Sequence, residues 1–135
     1  MWKEFLSSIG IGSVKVDTVL EKGQFTIGEV IEGKVVITGG KVPISIQSIM
    51  LQLVYQLEEV RDDSDFSSHE KEMDRLLMNI DREILPGETQ NFPFEITLRK
   101  NHPVTEDNKQ TFLRTTVIIP QSVDATDQDE IIIKG

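Results

Sequence analysis

The residues with most capacity for chemistry in this chain are four carboxylates: Asp124, Asp127, Asp129 and Glu130, in the run Asp124-Ala125-Thr126-Asp127-Gln128-Asp129-Glu130. Clustered carboxylate oxygens are what calcium takes, so Asp124, Asp127 and Asp129 are the candidate metal ligands. A calcium loop of the EF-hand kind also needs a central glycine and a distal glutamate, and the run has neither. An acidic turn that hydrogen-bonds its own backbone accounts for it more simply. His69 and His102 fall in predicted loops without the spacing partners of a zinc site or a catalytic triad, and both read as solvated side chains. The chain has no cysteine, which removes disulfides, thiolate metal sites and a cysteine nucleophile. Gly28 and Gly33 flank the start of a strand rather than open a helix, so they offer no phosphate cradle. No catalytic residue and no cofactor emerges, and the chain does not read as an enzyme.

Composition narrows the partners. The 135 residues suit one domain with a core of its own, and 38% hydrophobic with 27% charged residues is ordinary for a folded domain. The formal net charge is -9. Affinity for nucleic acid or an anionic bilayer comes mainly from lysine and arginine, so both partners are disfavoured, as is capture of phosphorylated segments. Protein partners remain. The acidic stretch carrying Asp62, Asp63 and Asp65 is a solvated loop by default, and otherwise a contact for a basic partner.

The elements that would position these groups are mostly strands. Trp2, Phe5, Leu6 and Ile9 recur at helical spacing and Gly10 makes a C-terminal stop, which predicts a short amphipathic helix over 1–10. It is too short and interrupted to be a signal peptide or to span a bilayer, which takes about 20 apolar residues. Packing on the body is the default, docking of a partner through Trp2 and Phe5 is the second reading, and a weak interfacial anchor, which the acidic body disfavours, is the third. Val14 to Leu20 alternates as a half-buried strand. Ile49, Leu51, Leu53, Tyr55 and Leu57 alternate strictly, whereas Ile44 and Ile46 hold the opposite parity. A phase slip of one residue would turn a side-chain set to the wrong face, so a β-bulge is predicted at Ile46–Ile49. Glu58 to Glu72 reads as an exposed hairpin loop. Met73 to Ile84 fits helix and strand alike, and the simplest hairpin connection favours a strand. Leu85-Pro86-Gly87-Glu88 is a turn, and Phe92, Phe94, Ile96 and Leu98 alternate beyond it. Pro93 lacks a donor, which places that strand at an edge or gives it an irregular start. A loop over Arg99–Gln110, a strand over Phe112–Ile119, a loop over Pro120–Glu130 and a short strand at Ile131–Ile133 complete the chain. About seven strands without helical crossovers predict an all-β, antiparallel immunoglobulin-like sandwich.

One stretch, Phe25 to Ile37, joins these readings. Gly28 permits a turn, Gly33 makes room, and Ile31, Val35 and Ile37 face the core opposite Glu32 and Lys34. Its pattern Phe25-x-x-Gly28-Glu29-x-x-x-Gly33-x-Val35, followed by Leu85-Pro86-Gly87 and Phe92-Pro93-Phe94, resembles the N-terminal domain of arrestin-fold proteins. Ile9-Gly10-Ile11-Gly12, Val16-Asp17-Thr18-x-Leu20-Glu21, Gly39-Gly40 and Val123 to Asp129 narrow the resemblance to the sporulation-control (SpoOM-type) family. Two departures from that family are Ile27, where a proline is usual, and Arg99-Lys100-Asn101, where members carry a proline-rich exit.

The resemblance implies a non-enzymatic cytoplasmic regulator acting through protein contacts in developmental control such as sporulation. It also implies that residues 1–135 form one sandwich, the N-terminal one of two. A partner would use an exposed strand edge, the Glu58–Glu72 hairpin tip or the N-terminal helix, and open sheet edges also admit a homodimer. The alternative is a sandwich that binds calcium or a small ligand at Asp124–Glu130.

Overall fold

A computed structural model describes residues 9–11, 14–60, 66–120 and 124–135. Those residues form β1 (Ile9–Ile11), β2 (Val14–Leu20), β3 (Gln24–Thr26), β4 (Val30–Thr38), β5 (Ile44–Val60), β6 (Phe66–Ile84), β7 (Thr89–Thr97), β8 (Lys109–Ile118) and β9 (Ala125–Lys134). Two sheets face each other, ordered β1-β2-β4-β7 and β3-β9-β8-β5-β6. All pairings are antiparallel except that of β3 with β9. The fold is the predicted all-β two-sheet sandwich.

Alternation builds the core. On β4, Ile31, Val35 and Ile37 are fully buried while Glu32 and Lys34 are exposed, as strand periodicity requires. Ile49, Leu51 and Leu53 of β5 and Leu113 and Val117 of β8 meet them from the second sheet. Gly33 sits between Leu20 of β2 and Phe94 of β7 in the ladder. A Cβ there would lie 2.6 Å from the Val19 carbonyl oxygen and 2.9 Å from the Phe94 ring, so only glycine fits.

The pair β4–β7 is locked at both ends by the same device. In Thr26-Ile27-Gly28-Glu29, Gly28 has φ 89°, Glu29 N–H donates to the Thr26 carbonyl at 2.9 Å, and Glu29 Oε1 accepts the Thr26 N–H at 2.9 Å. In Leu85-Pro86-Gly87-Glu88, Gly87 has φ 75°, Glu88 N–H donates to the Leu85 carbonyl at 3.0 Å, and Glu88 Oε1 accepts the Leu85 N–H at 2.9 Å. Each turn feeds one strand of the pair and bonds the exit of the other: Gly28 and Glu29 to Leu98, Gly87 and Glu88 to Gly39. These Gly-Glu turns supply the φ > 0 position that a type II turn demands.

Four expectations are corrected. There are nine strands among the described residues rather than about seven, because β1 and β3, three residues each, carry no readable period. Residues 1–8 of the predicted helix, with Trp2 and Phe5, lie outside the described residues, while Ile9 and Gly10 pair with Val16 and Lys15 as strand. Most of the stretch expected as a hairpin loop is strand, since β5 runs on to Val60 and β6 begins at Phe66. At Glu58 and over Ser68–Glu72 the side chains are exposed, so no hydrophobic alternation marks the strands. The ambiguous segment Met73–Ile84 is strand, as expected. The acidic run is not a turn: from Ala125 onward it is the first half of β9, with Ala125 and Asp127 inward and Thr126 and Gln128 outward.

The bulge falls where the parity slip placed it, between Ile46 and Ser48. The extra residue, however, belongs to β6: Ile80 and Asp81 both oppose Gln47, and Asp81 takes φ 46°. A second shift between Leu53 and Val54 leaves Met73 as an extra residue on the same strand.

Candidate functional site

β6 ends one sheet and β7 ends the other, on the same side of the sandwich. No ladder joins them, so the sandwich opens laterally. The opening is a cleft of about 760 Å³. One wall is the row Leu20–Gly33–Phe94 with the flanking residues of β2, β4 and β7, and Leu76 and Met78 of β6 form the other. Two links bridge it at its ends. Arg82 stacks 5.6 Å from the centre of the Phe92 ring and donates to Gln90 Oε1 at 3.1 Å, and Asp74 pairs with Arg99 at 3.4 Å. Pro93 lies midway along β7, an edge strand in regular register, so the edge and not an irregular start accounts for its missing donor.

The outer face of the larger sheet is tied by a polar stripe. Arg114 of β8 makes a two-pronged contact with Glu70 of β6 at 3.0 and 3.1 Å and donates to Gln128 of β9 at 2.9 Å. Gln52 donates to Glu72 Oε1 at 2.6 Å, and the same oxygen accepts from Arg75 at 2.9 Å. The Arg114 hydrogen bonds hold the Glu70 carboxyl below its usual range, and those from Gln52 and then Arg75 do the same for Glu72. Glu29 is lowered by its hydrogen bond from Lys22 and then by the Thr26 N–H.

The sequence-predicted site residues scatter. Asp62, Asp63 and Asp65 lie outside the described residues. Asp124 is exposed ahead of β9, Asp127 is 3% exposed and faces the core beside Thr115, and Asp129 is half-buried. The strand keeps Asp127 and Asp129 on one face, two residues apart, and leaves Asp124 ahead of it in solvent. Among the described residues no group of three histidine, cysteine or acidic side chains is placed to hold a metal ion. His102, expected in solvent, is buried: its Nε2 lies 2.8 Å from Thr111 Oγ1, and burial pushes its pKa down. Phe25, Phe92 and Phe94 are core residues, and Gly28, Glu29, Pro86 and Gly87 form the two turns. The fold landmarks thus shape the cleft, with Gly33, Pro93 and Phe94 in its wall, while Asp124, Asp127 and Asp129 do not line it. No helix among the described residues is long and apolar enough to cross a membrane.

A family model described as SpoOM protein matches residues 2–135. The chain is 33% identical over 134 residues to the sporulation-control protein spo0M of Bacillus subtilis (strain 168), covering 99% of this chain and 52% of that protein. The crystal structure of Spo0M from Bacillus subtilis superposes with a TM-score of 0.83 at 33% identity, over 93% of this chain and 51% of that one. The chain thus spans about half the length of the relatives it matches.

Proposed function

Because the chain belongs to the SpoOM protein family, we propose that it is a regulatory adaptor domain in sporulation control, acting by capturing a protein partner. The observation that carries this reading is the open lateral cleft. Two edge strands border an apolar gap, an arrangement that recognises another chain through backbone donors, backbone acceptors and side-chain pockets. In this reading the residues up to 135 supply one sandwich of a two-sandwich architecture, and the setting is cytoplasmic.

Affinity capture from sporulating cells, with the chain as bait, tests the proposal. A partner retained by the folded chain and lost when Met78→Glu charges the cleft is the expected result. Capture of no partner from cells shown to be sporulating would overturn it.

A further inference from the structure

The edge of β6 narrows the kind of segment that fits, given the adaptor reading on which this inference rests. Between the extra residue Met73 and the bulge at Ile80–Asp81, β6 keeps unbroken register with β5 from Asp74 to Asn79. Arg75 N–H donates to its neighbour's Asp74 Oδ1 at 2.8 Å, which aims it away from β5. Backbone groups alternate along an antiparallel strand, so Leu77 and Asn79 direct their N–H and C=O the same way. No backbone hydrogen bond from that edge to another element occurs among the described residues. β7 is the poorer edge, because Pro93 removes a donor from its middle.

Side chains set the chemistry of the added strand. Facing inward it would meet Leu76 and Met78 with Phe94 across the cleft. Facing outward it would meet Leu77, which is 53% exposed and lies beside its cross-strand neighbour Met50. Glu21, Glu32 and Glu95 border the mouth of the cleft against the single Lys34, at positions exposed to solvent, on a chain of net charge -9. We propose that the Asp74–Asn79 edge of β6 takes an extended protein segment with apolar alternate residues and lysine or arginine beside them, added as a further strand that roofs the cleft.

Fluorescence polarisation with the whole chain tests this, using a labelled peptide of alternating valine and lysine and a valine–glutamate counterpart. The lysine peptide should bind at least about tenfold more tightly, a difference of ~1.4 kcal/mol, and weaken as salt rises. On binding, the amides of Leu77 and Asn79 should gain protection from hydrogen exchange. Leu77→Pro removes an edge donor at a position where strands accept proline, and should lower affinity about tenfold with thermal melting still cooperative. Should that variant fail to fold, Met78→Glu and the exchange measurement carry the test. Equal binding of the two peptides, or unchanged protection at Leu77 and Asn79, overturns the proposal. So does self-association of the unliganded chain that Leu77→Pro abolishes, which would assign the edge to a second copy. A partner captured from cells regardless of either variant would also overturn this site while leaving the adaptor reading intact. Capture of no partner would remove that reading instead.

Discussion

Gly28 and Gly33, five residues apart, are required for unlike reasons. Gly28 has open space around its missing Cβ but holds φ 89°, a torsional demand, whereas the obstacle at Gly33 is steric, since its Cβ would sit 2.6 Å from a backbone oxygen. Gly28→Ala should therefore cost about 1–2 kcal/mol, and Gly28→Asn should recover most of it, because asparagine tolerates the left-handed region. Gly33→Ala should cost about 3 kcal/mol, with Gly33→Asn worse still. Chemical denaturation of the four variants checks the contrast, and an asparagine rescue at Gly33 would refute the steric account. His102 makes the second residue-scale case. Its folded pKa lies below the ordinary value because the ring is buried. As pH falls through about 6.5 the unfolded chain takes up a proton that the folded chain resists. The stability tied to His102 is thus intact above about pH 6.5 and is lost as pH drops toward the lowered folded value. The lowered carboxyls of Glu29, Glu70 and Glu72 act in a separate window, their contribution being lost only as pH falls below about 4.3. Melting temperature followed from pH 8 to about 5 should fall for the natural chain and stay flatter in His102→Gln.

At the scale of elements, β6 is both the longest strand and the most irregular, and its bulge can be tested at Asp81. Aspartate tolerates φ 46° better than a branched residue does. Asp81→Gly should change stability by less than about 0.5 kcal/mol, while Asp81→Val should lose about 1–2 kcal/mol. Equal stability of the two variants, measured by urea unfolding, would mean that the strand resets its register at no cost. Legibility in the sequence followed from where each strand lies. β2, β4, β7 and β8 each bury one face, so alternation located them, and the parity slip in β5 located the bulge. Towards the tip of the β5–β6 hairpin, Glu58 and Ser68–Glu72 expose their side chains and show no period. The first half of β9 was hidden because Asp127 occupies an inward position beside Thr115, which periodicity scores as surface. His102 lies on a loop, where no pattern announces burial. The cleft was legible only in part: Pro93 marked β7 as an edge, but the facing of β6 and β7 is a property of sheet order that no local stretch encodes.

For the molecule as a whole, two electrostatic effects oppose each other, and their ranges decide between them. Six ion pairs occur among the described residues, all between side chains that water reaches. Exposed pairs of this kind contribute about 0–1 kcal/mol each. Against them stands the mutual repulsion of a net charge of -9. Raising ionic strength from about 0.01 to 0.15 M shortens the screening length from ~30 to ~8 Å. The pairs, with charges at most 4.0 Å apart, stay inside that length and lose little. Repulsion between carboxylates spread over the surface acts at longer range and loses most of its strength. The melting temperature should therefore rise by about 1–4 °C over this range, the shift that roughly 1 kcal/mol or less produces in a domain of this size. Affinity for the lysine-bearing peptide should fall over the same range, because that attraction is screened too. The opposite signs separate a salt effect on folding from one on docking. A melting temperature that fell with salt would show instead that the local pairs, above all Arg114 with Glu70 across the larger sheet, outweigh the repulsion of the whole.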